Sequence, residues 1–178
     1  KKLFKNRICL IYNGVKFDPN NFTAKPADRI IYLFLARLHH KKGIVPLVTA
    51  WSKSMIENQF VKLLIVGPDE GELSKIEQLI SGNIEYRGPM FGEAKIKMLQ
   101  AAHYYVLPSF SEGFPSSVVE AMSYGAIPII SEGCNFPEVF DEKLGYQLTT
   151  DPESIGEVLL KVSALPYDSE LSQRNISY

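Results

Sequence analysis

YYVLPSFSEGFPSSVVEAMSYGAIPIIS, residues 104–131, carries a strand, a loop, a helix and a second strand in one uninterrupted passage. Tyr104 to Leu107 is aromatic and branched-apolar, and Pro108 stops it. Ser116 to Tyr124 places apolar residues at helical spacing, and Gly125 follows as a C′ residue able to take a left-handed conformation. Ala126 to Ser131 then resumes an almost continuous apolar run. Strands without polar alternation are buried on both faces, which is the habit of parallel sheets covered by helices.

Outward from this unit the same alternation repeats. IIYLFL (30–35), VKLLIVG (61–67), IEYRG (84–88) and GYQL (145–148) read as further strands. Val45 to Ile56, Glu72 to Ile80, Glu93 to Ala102 and Pro152 to Leu165 read as helices, with Pro46 in a first turn where no backbone donor is required. A β-α-β-α order over one chain predicts a doubly wound α/β sheet. The first 25 or so residues are irregular and punctuated by Asn13-Gly14 and Pro19-Asn20-Asn21, as a lead-in segment. The stretch after Pro166 is polar and reads as a tail, a detached final helix. No internal repeat or low-complexity segment is visible.

Composition narrows the function classes. The 178 residues, 46% apolar and 22% charged, suit one soluble domain. A net charge of -1 offers no global positive field for nucleic acid, so an anionic ligand must be held by local cations. Cys9 and Cys134 are too few for a disulfide framework, and a reducing compartment is the default. His39, His40 and His103 fall at no metal-ligand spacing. The longest apolar stretch, Ile30 to Ala36, is far short of the ~18 residues that a membrane span needs, and no signal peptide is visible. A start at KKLFKNRICL without Met and an end at NISY suggest a piece of a longer protein.

Ligands of open parallel sheets bind beyond the carboxyl ends of the strands. The non-routine residues collect there, in ARLHHKKG, GPDEG, GPMFG, PSFSEGFPSS and SEGCNFPE, each following a strand. Arg37 and Lys42 could bind an anion or form an ordinary solvated basic loop. The backbone from Gly113 to Val118 precedes and opens a helix, a natural phosphate site that is also an ordinary strand-to-helix turn. Glu120 stands in the apolar run Val118-Val119-Glu120-Ala121-Met122, where a charge needs a partner. That partner is either a local Lys or Arg, or the two hydroxyls of a ligand diol.

The ordered set resembles the glycosyl transferases group 1 family, retaining enzymes of the GT-B fold. The resemblance runs from about Asn13 to Leu165: Asn13-Gly14-Val15, Ala36-Arg37-Leu38 with Lys42-Gly43, Val66-Gly67, and above all Pro108 through Pro128 with Glu112 and Glu120 in an E-x7-E spacing. It implies a Rossmann-like doubly wound parallel sheet, the C-terminal half of a GT-B glycosyltransferase. Residues 1–178 would be a single domain binding a donor nucleotide sugar, with the N-terminal acceptor domain absent.

The family pattern gives Arg37 and Lys42 the donor diphosphate, Glu112 the transferred sugar and Glu120 the ribose. Gly14, Gly67, Pro89, Met90, Gly113, Phe114, Pro115, Ser116, Ser117 and Val118 would complete the donor site. No metal or other cofactor is expected. The implied reaction moves a hexose from a UDP- or GDP-sugar to a glycan or lipid-linked acceptor, as in polysaccharide biosynthesis, with retention. The implied place is the cytoplasm, peripheral to the membrane face. Two rivals are a non-catalytic nucleotide-sugar-binding or scaffold module, and another GT-B enzyme such as a sugar-nucleotide epimerase or a phosphorylase. Three positions depart from the pattern: Pro115 and Ala36 stand where Gly is common, and His103 where Asp is frequent.

Overall fold

A computed structural model describes residues 14–15, 23–55 and 57–178. Of the opening turn it therefore covers Gly14 and Val15, while Tyr12, Asn13, Lys16 and the expectation attached to Cys9 lie outside the described residues. Six strands form one parallel sheet: β1 (Ile30–Leu35), β2 (Val61–Val66), β3 (Ile84–Tyr86), β4 (Tyr104–Leu107), β5 (Ile127–Ser131) and β6 (Tyr146–Leu148). Their spatial order is β3-β2-β1-β4-β5-β6. The order reverses between β1 and β4, the switch point at which such sheets open a crevice.

The helices are α1 (Ile44–Ser54), α2 (Leu73–Ile76), α3 (Gly92–Ala101), α4 (Ser116–Ser123), α5 (Glu138–Asp141), α6 (Pro152–Ser163) and α7 (Ser169–Ser177). The strand cores Tyr32–Phe34, Leu63–Val66, Tyr104–Leu107 and Ile127–Ile130 are buried, so both faces of the sheet are covered, as their unalternating sequences predict. In α1, Ile44, Leu47, Val48 and Trp51 form one buried stripe. Trp51 Nε1 donates to Asn83 Oδ1 at 2.9 Å, while Asn83 Nδ2 donates to the carbonyls of Met55 and Asn58. Truncating Trp51 to Ala would empty a fully buried site and strand Asn83, at a cost of about 3–5 kcal/mol.

Two glycines let neighbouring loops touch at the carboxyl edge. Gly43 has φ 70°, and a Cβ there would lie 2.0 Å from the Pro108 carbonyl oxygen. Gly67 has φ 150°, and its Cβ would lie 1.9 Å from the Ala36 carbonyl oxygen. Any larger residue would push apart the loops after β1 and β4, or after β1 and β2.

The C-terminal stretch departs from its reading as a detached tail. Asp168 caps α7 by accepting from Leu171 N at 2.9 Å, and the helix is docked. Ser172 Oγ donates to the Gly125 carbonyl at 2.7 Å, and Asn175 Nδ2 donates to the Leu144 carbonyl at 3.0 Å. The helix is polar because it is fastened through hydrogen bonds to the buried carbonyls of Gly125 and Leu144, next to the starts of β5 and β6, more than through an apolar stripe.

Candidate functional site

The loop after β1 runs from Ala36 to Gly43 and is pinned on both sides. Leu38 N donates to the Pro68 carbonyl (2.8 Å), and Glu70 N returns a bond to the Leu38 carbonyl (3.0 Å). Phe110 N donates to the Lys41 carbonyl at 2.8 Å. The loop therefore sits between those after β2 and β4 and carries Arg37 and Lys42 to the switch point.

Lys42 meets Glu112 there, with Nζ 2.6 and 2.7 Å from the two carboxylate oxygens. The side chains are only 19% and 10% exposed. Glu112 is further fixed by Ser109 Oγ, 2.7 Å from Oε1, and by its own N–H, which donates to the Gly133 carbonyl at 2.7 Å. A pair this enclosed is costly to break from one side, because the remaining charge loses water without gaining a partner.

Arg37 is held differently. Its Nη1 lies 2.9 and 2.8 Å from the two oxygens of Glu70, with the side chains 58% and 35% exposed. Such an open pair contributes about 0–1 kcal/mol. The turn that carries Glu70 is itself rigid. Asp69 Oδ1 accepts from Gly71, Glu72 and Leu73 N–H, and those backbone donors, led by that of Leu73, hold its carboxyl below the usual range.

Glu120, on α4, faces Lys95 of α3 at 2.7 Å. Both side chains are about one-third exposed, at 29% and 31%. The structure thus supplies the local cation that the apolar helix called for. Glu120 and Lys95 also line a cavity of about 210 Å³ together with Arg37, Gly67, Pro89, Met90 and Ser117. Six of the residues singled out from sequence therefore share one cavity wall, drawn from the ends of β1, β2 and β3 and from α4. Phe91, 79% exposed, stands at its rim.

The remaining candidates surround it less uniformly. Lys42, Glu112 and Gly113 lie beyond the cavity, on the β4 side. Val118 turns its side chain into the core, and its N–H is engaged by the Pro115 carbonyl at 2.8 Å. Ser116 N–H likewise bonds to the Phe114 carbonyl at 3.0 Å. Two donors of this helix start are thus engaged within the turn itself. Ser117 Oγ lies 2.8 Å from Tyr105 Oη, which also reaches the Leu35 carbonyl, so α4 is fastened to β1 and β4 beneath the cavity. Gly14 is exposed, and its neighbour Val15 lines a different cavity with Val119 and α7 residues.

Sequence reasoning passed over Glu70, Lys95 and Ser109. Their partners lie 33, 25 and 3 residues away respectively, and only the last distance is local. The signal available for Lys95 was the demand of Glu120 for a counter-ion, which names a need without naming the residue. Cys134 is buried, and burial pushes its thiol up to about 11, so it is a packing residue and not a nucleophile. Among the described residues no three His, Cys, Asp or Glu side chains converge to hold a metal, and no helix is long and apolar enough to cross a membrane.

Comparison with known proteins bears on this geometry. Residues 17–178 match the family described as glycosyl transferases group 1. The chain is 34% identical over 149 residues to an N,N'-diacetylbacillosaminyl-diphospho-undecaprenol alpha-1,3-N-acetylgalactosaminyltransferase of Campylobacter jejuni, covering 74% of this chain and 39% of that protein. It superposes on the crystal structure of WaaG, a glycosyltransferase involved in lipopolysaccharide biosynthesis, with a TM-score of 0.73 at 18% identity, over 86% of this chain and 43% of that one. It also superposes on the C-terminal domain of a glycosyl transferase group 1 family protein from Francisella tularensis, with a TM-score of 0.67 at 20% identity, over 92% and 93% of the two chains. The chain spans less than half the length of the curated relatives it matches.

Proposed function

The chain belongs to the glycosyl transferases group 1 family, and on that premise we propose that it is the donor-binding half of an enzyme that transfers a hexose from a nucleoside-diphosphate sugar with retention of anomeric configuration. One observation carries the reading. At the switch point of the sheet, Arg37 and Glu120 line a cavity sized for a nucleoside, Lys42 and Glu112 stand on its β4 side, and each of these charges is paired with another side chain.

In this reading the base lies against Pro89 and Met90, and the ribose hydroxyls donate to Glu120. Arg37 and Lys42 take the diphosphate. Negative charge grows on the leaving phosphate as the glycosidic bond lengthens, so fixed cations stabilise that state more than the ground state. Glu112, held by Ser109 and the Gly133 carbonyl, is placed to bind the sugar as it acquires oxocarbenium character. No residue is assigned as a nucleophile. Binding exchanges ion pairs rather than filling an uncharged hollow: the diphosphate takes Arg37 from Glu70 and Lys42 in part from Glu112.

A glycan or lipid-linked acceptor would be held by the remainder of the longer protein, in the cytoplasm and against the membrane face. The C. jejuni relative is named for a diphospho-undecaprenol acceptor, which supports the lipid-linked class. This chain by itself is then expected to bind nucleotide without transferring sugar. Calorimetric or NMR titration with UDP, GDP and ADP, beside an Arg37→Ala/Lys42→Ala variant, tests the reading. Saturable binding of one nucleotide that the double variant abolishes supports it. Binding unaffected by the double variant, or robust transfer by this chain alone, sinks it.

A further inference from the structure

We propose that Lys95 is a second reader of the donor's ribose, acting with Glu120, so that this site recognises the hydroxyls both as donors and as acceptors. The inference rests on the donor-site reading above. Lys95 and Glu120 come from different helices, α3 and α4, and meet at 2.7 Å in the wall of the same cavity. Lys95 Nζ stands 2.7 Å from Glu120 Oε2.

The chemistry of a diol makes the pair more than a neutralising contact. Each hydroxyl brings one hydrogen and one accepting oxygen. A carboxylate accepts the hydrogens and can do nothing for the oxygens. An ammonium has three donors, of which Glu120 Oε2 occupies one. Because both groups line the cavity, a ribose hydroxyl seated against Glu120 would meet an acceptor and a donor together. The contact with Lys95 also restrains the carboxylate before the ligand arrives, which lowers the ordering cost of binding. The surroundings favour this role over simple attraction to phosphate. Arg37, the other cation lining the cavity, lies on the β1 side with Glu70, whereas Lys95 is committed to the carboxylate that the ribose would use.

The test compares UDP, GDP and ADP with their 2′-deoxy counterparts on the 178-residue chain, in the original sequence and in Lys95→Met and Lys95→Arg. Thermal midpoints serve as the folding control, since Lys95 is partly exposed and its removal leaves the core intact. For the nucleotide that binds, Lys95→Met is expected to weaken the ribonucleotide about tenfold, in line with loss of a charged hydrogen bond, and the deoxynucleotide less than twofold. Lys95→Arg is expected to restore most of the preference. Equal weakening of both ligands assigns Lys95 to long-range attraction and overturns the inference. So does an unchanged ratio, which makes the pair a surface contact, or tighter binding, which makes Lys95 a competitor for Glu120. In each of those cases the donor-site reading survives. If none of the three nucleotides binds the original chain, both readings fall.

Discussion

Two cationic sites, one at each end of the sheet, are fastened in opposite ways. At the carboxyl end Arg37, Lys42 and Lys95 are each paired with a carboxylate from another loop or helix. At the amino end Lys25 Nζ donates to the carbonyls of Gln100 and Tyr124, 3.1 and 2.7 Å away, near the ends of α3 and α4. Beside it His103 is buried, accepts from Ile31 N at Nδ1 (3.1 Å), and lies edge-on to Tyr167. An exposed carboxylate such as Glu70 can turn away when a ligand anion arrives, whereas helix carbonyls cannot. The first end is therefore built for exchange and the second for permanence, and mutations at the two ends should separate binding from stability.

The largest separation is expected at Lys42. In the full-length enzyme Lys42→Ala should lower turnover by about 10²–10³-fold, the loss seen when one fixed transition-state donor is removed. It also leaves Glu112 without its cation, so stability should fall as well, although by less than for a wholly buried pair because both groups keep some water. Turnover within tenfold of the original would move the phosphate-neutralising role away from this loop.

At the other end the clearest lever is pH. Burial, reinforced by the charge of Lys25, lowers His103 from its ordinary 6.5 to about 4. Between those values the unfolded chain binds a proton that the folded chain refuses. Stability is therefore full above about pH 6.5 and declines as pH falls towards 4, by about 3 kcal/mol at most for this group. Urea midpoints measured from pH 7 to 4 should show this limb, and His103→Asn should flatten it. An unflattened limb would assign acid sensitivity to the carboxylates of the other end.

Lys25→Met should cost about 2 kcal/mol, because the carbonyls of Gln100 and Tyr124 at the helix ends lose a charged donor. Nucleotide affinity should stay within twofold. A change in affinity without a change in stability would erase the contrast between the two ends.

How much of this was visible in the sequence follows the range of the interactions. Strands β1, β2, β4 and β5 were legible because burial on both faces writes a nearly unbroken apolar run, as in Ile30–Leu35 and Ile127–Ser131, whereas β3 and β6, with polar Glu85 and Gln147, were legible only as brief segments between helices. The fold and the family followed, since the Gly67, Arg37, Lys42 and Glu112–Glu120 spacings fall after strand ends in order. What was not legible depends on pairing across the fold. Glu70 reaches Arg37 because β2 and β1 are neighbours and their loops meet, and Lys95 reaches Glu120 because α3 and α4 come together across the switch point. The short α5 left too brief a pattern to read. Helix α7 looked detached because polar Ser172 and Asn175 are buried against carbonyls, and burial through hydrogen bonds leaves no apolar period.

The smallest effect is also the one that probes exchange most directly. Glu70 occupies the guanidinium nitrogen that a phosphate would seek, and its turn is held there by the Asp69 cap and by bonds to Leu38. A ligand anion must displace it, so the pair opposes binding by roughly its own strength, about 0–1 kcal/mol for contacts this exposed. Glu70→Gln should thus tighten nucleoside diphosphate binding about two- to fivefold, leave the parent nucleoside unchanged, and have no effect when Arg37 is already Ala. Weaker binding in Glu70→Gln would mean that the carboxylate orients Arg37 for the ligand instead of competing with it. The carboxyl end would then hold one cation as firmly as Lys25 is held, and the division between an exchanging end and a permanent end would no longer coincide with the two edges of the sheet.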